Sequence, residues 1–269
     1  MKIKSYKKFS INFEIIKFFK KKYEKLFNSL YKQKLNCIIL HLLENKIEIN
    51  TVYDVGAFQG DWTKLLKKTS LKNSKFYLFE ANAENEIYLK NSGHKYFINV
   101  LSDKNKEVKF FSKVHVGDSY FPEKTNFYEN SIVPKILKTS TLNEIKKKNK
   151  IPSPDFLKID TQGSEIDILK GGNEILNDCK IILLECPIIS YNTGAPTLSN
   201  YIEYLDKINY LPLEIAEIHY LDKILVQIDI VFLKKNIFQK IYKDKKIPQL
   251  FKFLYRFNEK RYFSLQSRS

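Results

Sequence analysis

The chain has 269 residues and a formal charge of +16, a length that allows one large domain with attachments or two small ones. Hydrophobic residues make up 43% and charged residues 28%, which excludes a disordered tail and permits a sizeable core inside a wet surface. The three cysteines, Cys37, Cys179 and Cys186, are odd in number and lack C-x-x-C spacing. That argues against a disulfide framework or a zinc module and for a reducing, cytoplasmic setting.

The charge is unevenly placed. Residues 1–50 carry +8 and residues 234–269 carry +9, while residues 51–233 have a net charge of −1. Only 3 of the 46 basic residues are Arg, the side chain best suited to bidentate phosphate and base-edge contacts, so a nucleic-acid partner is not expected. No apolar run reaches the ~18 residues that a spanning helix needs. The basic start lacks the clean apolar segment of a signal peptide.

In chain order, residues 11–43 repeat apolar side chains at three and four between lysines, which predicts amphipathic helices ahead of the main domain. From Thr51 the pattern becomes short apolar runs separated by helical segments. Strands are expected over residues 51–55, 75–80, 96–101, 155–160 and 180–185, and helices over 61–68, 83–89, 141–148 and from Glu165. Residues 107–111 and 119–121 form an additional pair or a loop. Residues 190–197 read as a loop, followed by a helix near 198–208 and an antiparallel hairpin closing over 226–233. The alternation predicts an α/β domain with a parallel sheet covered by helices. Its expected span is 50–233, between a helical extension over 1–49 and an aromatic, lysine-rich extension over 234–269.

The sharpest segment is Val52-Tyr-Asp-Val-Gly-Ala-Phe-Gln-Gly60. It puts Asp54 near a strand end and Gly56 and Gly60 in the turn that opens a helix, where the backbone can approach a ligand closely. The G-x-G-x-x-G dinucleotide fingerprint is absent, which weighs against a pyrophosphate and against an NAD-dependent oxidoreductase. Glu80 ends the second strand, the position from which a carboxylate reaches ribose hydroxyls in a doubly wound sheet. Ser102 and Asp103 follow the third strand, beside the same crevice. Lys158-Ile-Asp-Thr-Gln-Gly-Ser-Glu165 places Lys158 and Asp160 on one strand face and Glu165 at a helix start. Glu185 closes the next strand, and either Asp160 or Glu185 could deprotonate an acceptor hydroxyl. His219, before the final hairpin, is a further base candidate. His41, His94 and His115 form no ligand-spaced cluster, so no metal set is assigned, although the oxygen ligands near Asp160 leave metal assistance open.

Asp54–Gly60, Phe79-Glu80, Leu101-Ser-Asp103, Thr141-Leu142, Phe156–Glu165, Tyr191-Asn-Thr-Gly-Ala-Pro196 and Asp229-Ile-Val-Phe232 together resemble the ordered motifs of the FkbM family of S-adenosylmethionine-dependent methyltransferases. The resemblance covers about residues 50–233. It implies a class I methyltransferase (Rossmann-like) fold, a doubly wound, mostly parallel seven-stranded sheet with an antiparallel last strand. It also implies O-methyl transfer to a sugar, glycan or secondary metabolite.

The cofactor set it implies is Asp54, Gly56, Ala57, Gly60, Glu80, Ser102 and Asp103. Asp54 and Gly56 would hold the methionine part, Glu80 the ribose and Asp103 the adenine end. The catalytic set is Asp160 as base, Glu165 as orienting residue, Lys158 as electrostatic brace, and Glu185 and His219 as further acid–base groups. The family pattern has Asn where this chain has Phe58, and Pro where it has Ala81. A non-catalytic scaffold on the same fold is the alternative of a different class. The basic flanks are suited to an anionic membrane, at its inner face, or to a polysaccharide. An oligomer is compatible with the sequence.

Overall fold

The computed structural model describes residues 34–112, 117–122 and 133–242. The amphipathic stretch expected over 11–43 enters this set only from residue 34, and the aromatic tail at 251–257 lies outside it, as does His115. Helix α1 covers residues 34–44.

Among the described residues ten strands follow: β1 (Thr51–Val55), β2 (Lys75–Glu80), β3 (Lys95–Ile98), β4 (Val100–Leu101), β5 (Glu107–Phe110), β6 (Lys135–Ser140), β7 (Phe156–Ile159), β8 (Ile181–Pro187), β9 (Tyr210–Leu221) and β10 (Ile224–Lys234). The remaining helices are α2 (Asp61–Lys68), α3 (Glu86–Asn91), α4 (Leu142–Asn149), α5 (Glu165–Gly171), α6 (Leu198–Lys207) and α7 (Lys235–Tyr242). Seven strands form one sheet in the order β3-β2-β1-β7-β8-β10-β9. The pairs from β3 to β8 are parallel, and β10 runs antiparallel to both β8 and β9. The expected antiparallel last strand is therefore β10, inserted between β8 and β9.

Both faces of the sheet are covered, which is why β1, β7 and β8 are buried along their whole length. One face packs Leu157, Ile159, Ile182 and Phe232 under Leu142, Leu169 and Tyr201 of α4, α5 and α6. The other packs Val52, Phe156, Leu183 and Val231 under Leu35, Leu66 and Ile241 of α1, α2 and α7. The core thus takes in side chains from both sides of residues 50–233.

Local chemistry sets the helix ends. Thr141 accepts from the Glu144 N–H at 3.2 Å while the Glu144 carboxylate accepts from the Thr141 N–H at 3.1 Å, a reciprocal cap that starts α4. Residues 83–89 do not make one helix. Asn82 caps a single tight turn, Ala83–Asn85, before α3 begins.

Residues 96–101, expected as one strand, divide at Asn99. Its N–H bonds Glu80 O at 2.8 Å, ending the pairing with β2, and the next two residues turn to β6 in a separate small sheet of β4, β6 and β5. β6 itself was not expected. The residue pair Phe111 and Ser119 forms an isolated bridge.

Gly171 ties α5 to this small sheet. A Cβ there would lie 2.1 Å from Ser102 O, a backbone atom that cannot swing aside. Gly171 is the last residue of α5, so Ala there gains at most the ~1 kcal/mol of propensity of a helix interior, whereas overpacking costs roughly 1–3 kcal/mol. At so short a contact the clash wins. Gly171→Ala is expected to lower stability by about 2 kcal/mol in urea denaturation; a stabilised variant would show that α5 is free to move.

Candidate active site

The carboxyl ends of β1, β2, β7 and β8 meet at one edge of the sheet, where the strand order reverses between β1 and β7. This is where open α/β sheets bind ligands. A cavity of about 760 Å³ opens there, lined by Gly56, Glu80, Asn82, Asp160, Gln162 and Glu185 among others. A second cavity of about 550 Å³ lies on the α2 side, lined by Trp62, Lys158, Asp160, Glu185, Glu217 and Asp229 among others. Asp160 and Glu185 line both, so they stand in the partition between them.

Behind the partition sits a buried charge centre. The Lys158 ammonium, on a side chain 8% exposed, lies 3.1 Å from Asp54 Oδ1 and 3.4 Å from Asp160 Oδ2. It also donates to Gly56 O at 2.9 Å. Burial alone would lower the lysine's proton affinity, but the charges of Asp54 and Asp160 outweigh it and raise the group above its ordinary range. Asp54 is fully buried, and its Oδ2 accepts from the Thr63 hydroxyl at 2.7 Å. Asp54 therefore holds the lysine from beneath and takes no part in the cavity wall.

Gly56 is in the left-handed region, φ 71°, and a Cβ on it would fall 1.8 Å from Asp160 O. Only glycine lets the turn after β1 seat against the turn after β7. Ala57 packs into the core and Gly60 carries the turn into α2, so neither reaches the cavity wall as a side chain.

Glu80 lines the first cavity with its carboxylate already organised. It accepts from the Phe58 N–H at 2.7 Å and the Asn82 N–H at 2.8 Å, one on each oxygen. Burial is the largest influence on this carboxyl and raises it. Phe58 reaches Glu80 from the left-handed region, φ 49°. Among non-glycine residues Asn adopts that conformation most readily, so Phe58 takes it at some cost in backbone energy.

Ser102 and Asp103 do not line the cavity, contrary to expectation. The Ser102 hydroxyl donates to Asp103 Oδ1 at 3.0 Å, and the Lys106 ammonium holds the same oxygen at 2.7 Å. The wall at that end is formed by Asn82, Asn85, Asn99, Leu101 and Asp118. The Asn82 side-chain amide donates to Asp118 Oδ2 at 2.8 Å.

Glu165 is likewise not presented to a ligand. It is 1% exposed and accepts from the Thr161 and Gly163 N–H groups at 3.0 Å each, and from the Tyr201 hydroxyl at 2.6 Å. It shapes the turn that carries Asp160 and Gln162, in which Gln162 and Gly163 both have positive φ.

Asp160 and Glu185 are close enough to share a proton. Burial would raise Asp160, but the Lys158 charge and a hydrogen bond from Glu185 outweigh it and lower the group. Burial, and then the Asp160 charge, push Glu185 well above the ordinary carboxylate range. The two carboxyls are thus displaced in opposite directions, Asp160 downward and Glu185 upward, and the Asp160 side chain is 41% exposed.

Sequence reasoning missed the groups that position Glu185. The Gln162 amide donates to its Oε1 at 2.6 Å, and the Tyr191 hydroxyl donates at 3.1 Å. Tyr191 lies within one of the motifs quoted above, which was the available signal. His219 lines neither cavity and faces Asp229 at 3.4 Å.

Removing one partner of a buried ion pair strands the other. Lys158→Met is expected to lower stability by about 3–5 kcal/mol, with part of the loss recovered by adding Asp54→Asn, both read from urea midpoints. A loss under about 1 kcal/mol would mean that the charges are hydrated after all.

The family profile described as the methyltransferase FkbM domain matches residues 54–212. No curated protein sequence matches the chain.

Among solved structures the chain is similar to methyltransferase FkbM from Methylobacillus flagellatus KT, at 15% identity and TM-score 0.45, over 68% of this chain and 43% of that one. It is similar to magnesium protoporphyrin IX methyltransferase from Synechocystis PCC 6803, at 6% identity and TM-score 0.43, over 76% and 79% of the two chains. It is also similar to an S-adenosylmethionine-dependent methyltransferase from Clostridium acetobutylicum ATCC 824, at 11% identity and TM-score 0.43, over 82% and 99%. The profile match runs from the buried Asp54 to the start of β9 and spans more than half of the residues, so the chain belongs to the FkbM family of S-adenosylmethionine-dependent methyltransferases.

Proposed function

We propose that the protein methylates a hydroxyl oxygen of a sugar, glycan or hydroxylated secondary metabolite, with Asp160 as the base. The carrying observation is the partition: an accessible carboxylate, held by an ammonium, lies beside Glu185 between a cofactor-sized cavity and a second one.

The first cavity fits S-adenosylmethionine. Its volume is within the range of small-molecule sites, and each Glu80 oxygen, having accepted one backbone N–H, keeps a lone pair for a ribose hydroxyl. Asn82, Asn85 and Asn99 offer amides toward the base end. The cofactor supplies a methyl group made electrophilic by its sulfonium.

This chain's residues then have three tasks: to seat the acceptor, to exclude water, and to take a proton. The second cavity offers an aromatic face, Trp62, beside Lys64, Lys68, Asp61 and Glu217, a mixture suited to a polyhydroxylated acceptor. Asp160, exposed at the partition, accepts the hydroxyl proton as the oxygen attacks. Lys158 keeps Asp160 ionised and pointed, and Gln162 and Tyr191 keep Glu185 in place.

General-base catalysis contributes about 10²–10⁴-fold. Asp160→Asn is therefore expected to lower kcat by about that factor on a hydroxylated acceptor, while calorimetric affinity for S-adenosylmethionine stays within about threefold of the wild type, the free-energy equivalent of a minor perturbation. Titration with NAD serves as the control and should show no binding. Unchanged turnover in the variant would remove Asp160 from the role of base.

An anionic carrier for the acceptor would give the basic flanks a use. Retention of the full chain on anionic lipid vesicles at low salt and its loss at high salt is the expected result, since such attraction is screened within a Debye length. Equal recovery with neutral vesicles would end that idea. Among the described residues no helix is long and apolar enough to cross a membrane.

A further inference from the structure

We propose that Glu217, His219 and Asp229, on the β9–β10 hairpin, form a binding site for a divalent transition-metal cation. Glu217 and His219 are two apart on β9 and so share a strand face, and Asp229 of β10 lies directly across from Glu217. One ligand atom from each of the three falls within 4.8 Å of the others.

Three observations point to a ligand at this place. The first is the His219–Asp229 geometry. His219 Nε2 and Asp229 Oδ1 are shielded from solvent, on side chains 36% and 22% exposed, and face each other as a charge pair at 3.4 Å. Two donors each about 2.1 Å from one cation, at a near-tetrahedral angle, stand about 3.4 Å apart.

The second is charge. Asp229 and Glu217 lie directly opposite each other on β10 and β9. Like charges directly opposite in a sheet are destabilising, and a bound cation would relieve that.

The third is placement. Glu217 and Asp229 line the second cavity together with Asp160 and Glu185. A cation held there would stand beside the base, able to take the acceptor's oxygens as further ligands. One imidazole and two carboxylates make a borderline donor set, suited to Mn²⁺ or Zn²⁺.

The cation's use in seating the acceptor rests on the proposed function; its binding does not. The test therefore reads binding without turnover. Untagged full-length protein, stripped with chelator, is titrated with MnCl₂, and free Mn²⁺ is counted by electron paramagnetic resonance. One Mn²⁺ per chain is expected. His219→Gln and Asp229→Asn should each weaken binding at least tenfold, with far-ultraviolet circular dichroism confirming that both remain folded.

Mn²⁺ should also quench Trp62, the one tryptophan of the chain, which lines the same cavity. On the wild type alone, Co²⁺ should give the strong visible absorption of a four- or five-coordinate site. Sub-stoichiometric binding, or variants that bind as tightly as the wild type, would overturn the site. Variants that lose thermal stability without metal, in a protein whose wild type binds none, would make the pair a structural ion pair only. Failure here would leave methyl transfer by Asp160 untouched, and failure of the Asp160 variant would leave metal binding untouched.

Discussion

The ammonium of Lys158 is the constraint on which the active edge of the sheet depends. It is nearly inaccessible, and it touches three separate parts of the edge: Asp54 within β1, the Gly56 carbonyl in the turn that follows, and Asp160 beyond β7. A buried ion pair is weak evidence of net stability, because the desolvation of two charges offsets most of their attraction. Its effect here is on geometry. With the lysine fixed, the two turns close on each other at a distance that only glycine tolerates, and Asp160 emerges at the partition ionised and held from one side.

The other carboxylates at this edge divide into those that build loops and those that face a cavity. Glu165 spends its oxygens on backbone N–H groups and a tyrosine hydroxyl within four-residue reach or from α6, so it makes the 160–165 turn rigid without touching a ligand. Glu80 organises its own turn through Phe58 and Asn82 and still lines the cofactor cavity. Glu185 is the intermediate case. It is oriented by Gln162 and Tyr191 and lines both cavities, its carboxyl raised by burial and then by the charge of Asp160 beside it. Identical side chains thus acquire different roles from what reaches them first.

Much of the scaffold was legible because the central strands are mostly apolar and short, separated by helices with clear ends such as the Thr141–Glu144 cap. β6 was not legible, since Lys135–Ser140 is mostly exposed and lies in the small sheet, where no apolar run marks it. The split at Asn99 was hidden for a related reason. Apolar residues continue through it, and the break comes from a backbone bond to Glu80 that sequence pattern does not encode.

In the site, strand-end acids were recognisable from position, but exposure was not. Asp54 and Glu165 look as available as Asp160 in the sequence and are buried in the fold. Gln162 and Tyr191, 29 residues apart, acquire their relation to Glu185 only when the loops fold over the sheet edge.

The Lys158–Gly56 bond also spans 102 residues, and this sets an order of events when the polypeptide is made. At roughly 5–20 residues per second, Asp54 leaves the ribosome about 5–20 seconds before the lysine that neutralises it. During that interval β1 has β2 available as a neighbour but not β7, and the turn carrying Gly56 has nothing to seat against. β1 is the first strand of the sheet to be synthesised, yet its second neighbour, β7, is made only after β2 and β3. A nascent chain paused between these two points exposes an apolar strand with an acid in its middle, and that acid disfavours pairing with the wrong apolar segment until Lys158 arrives.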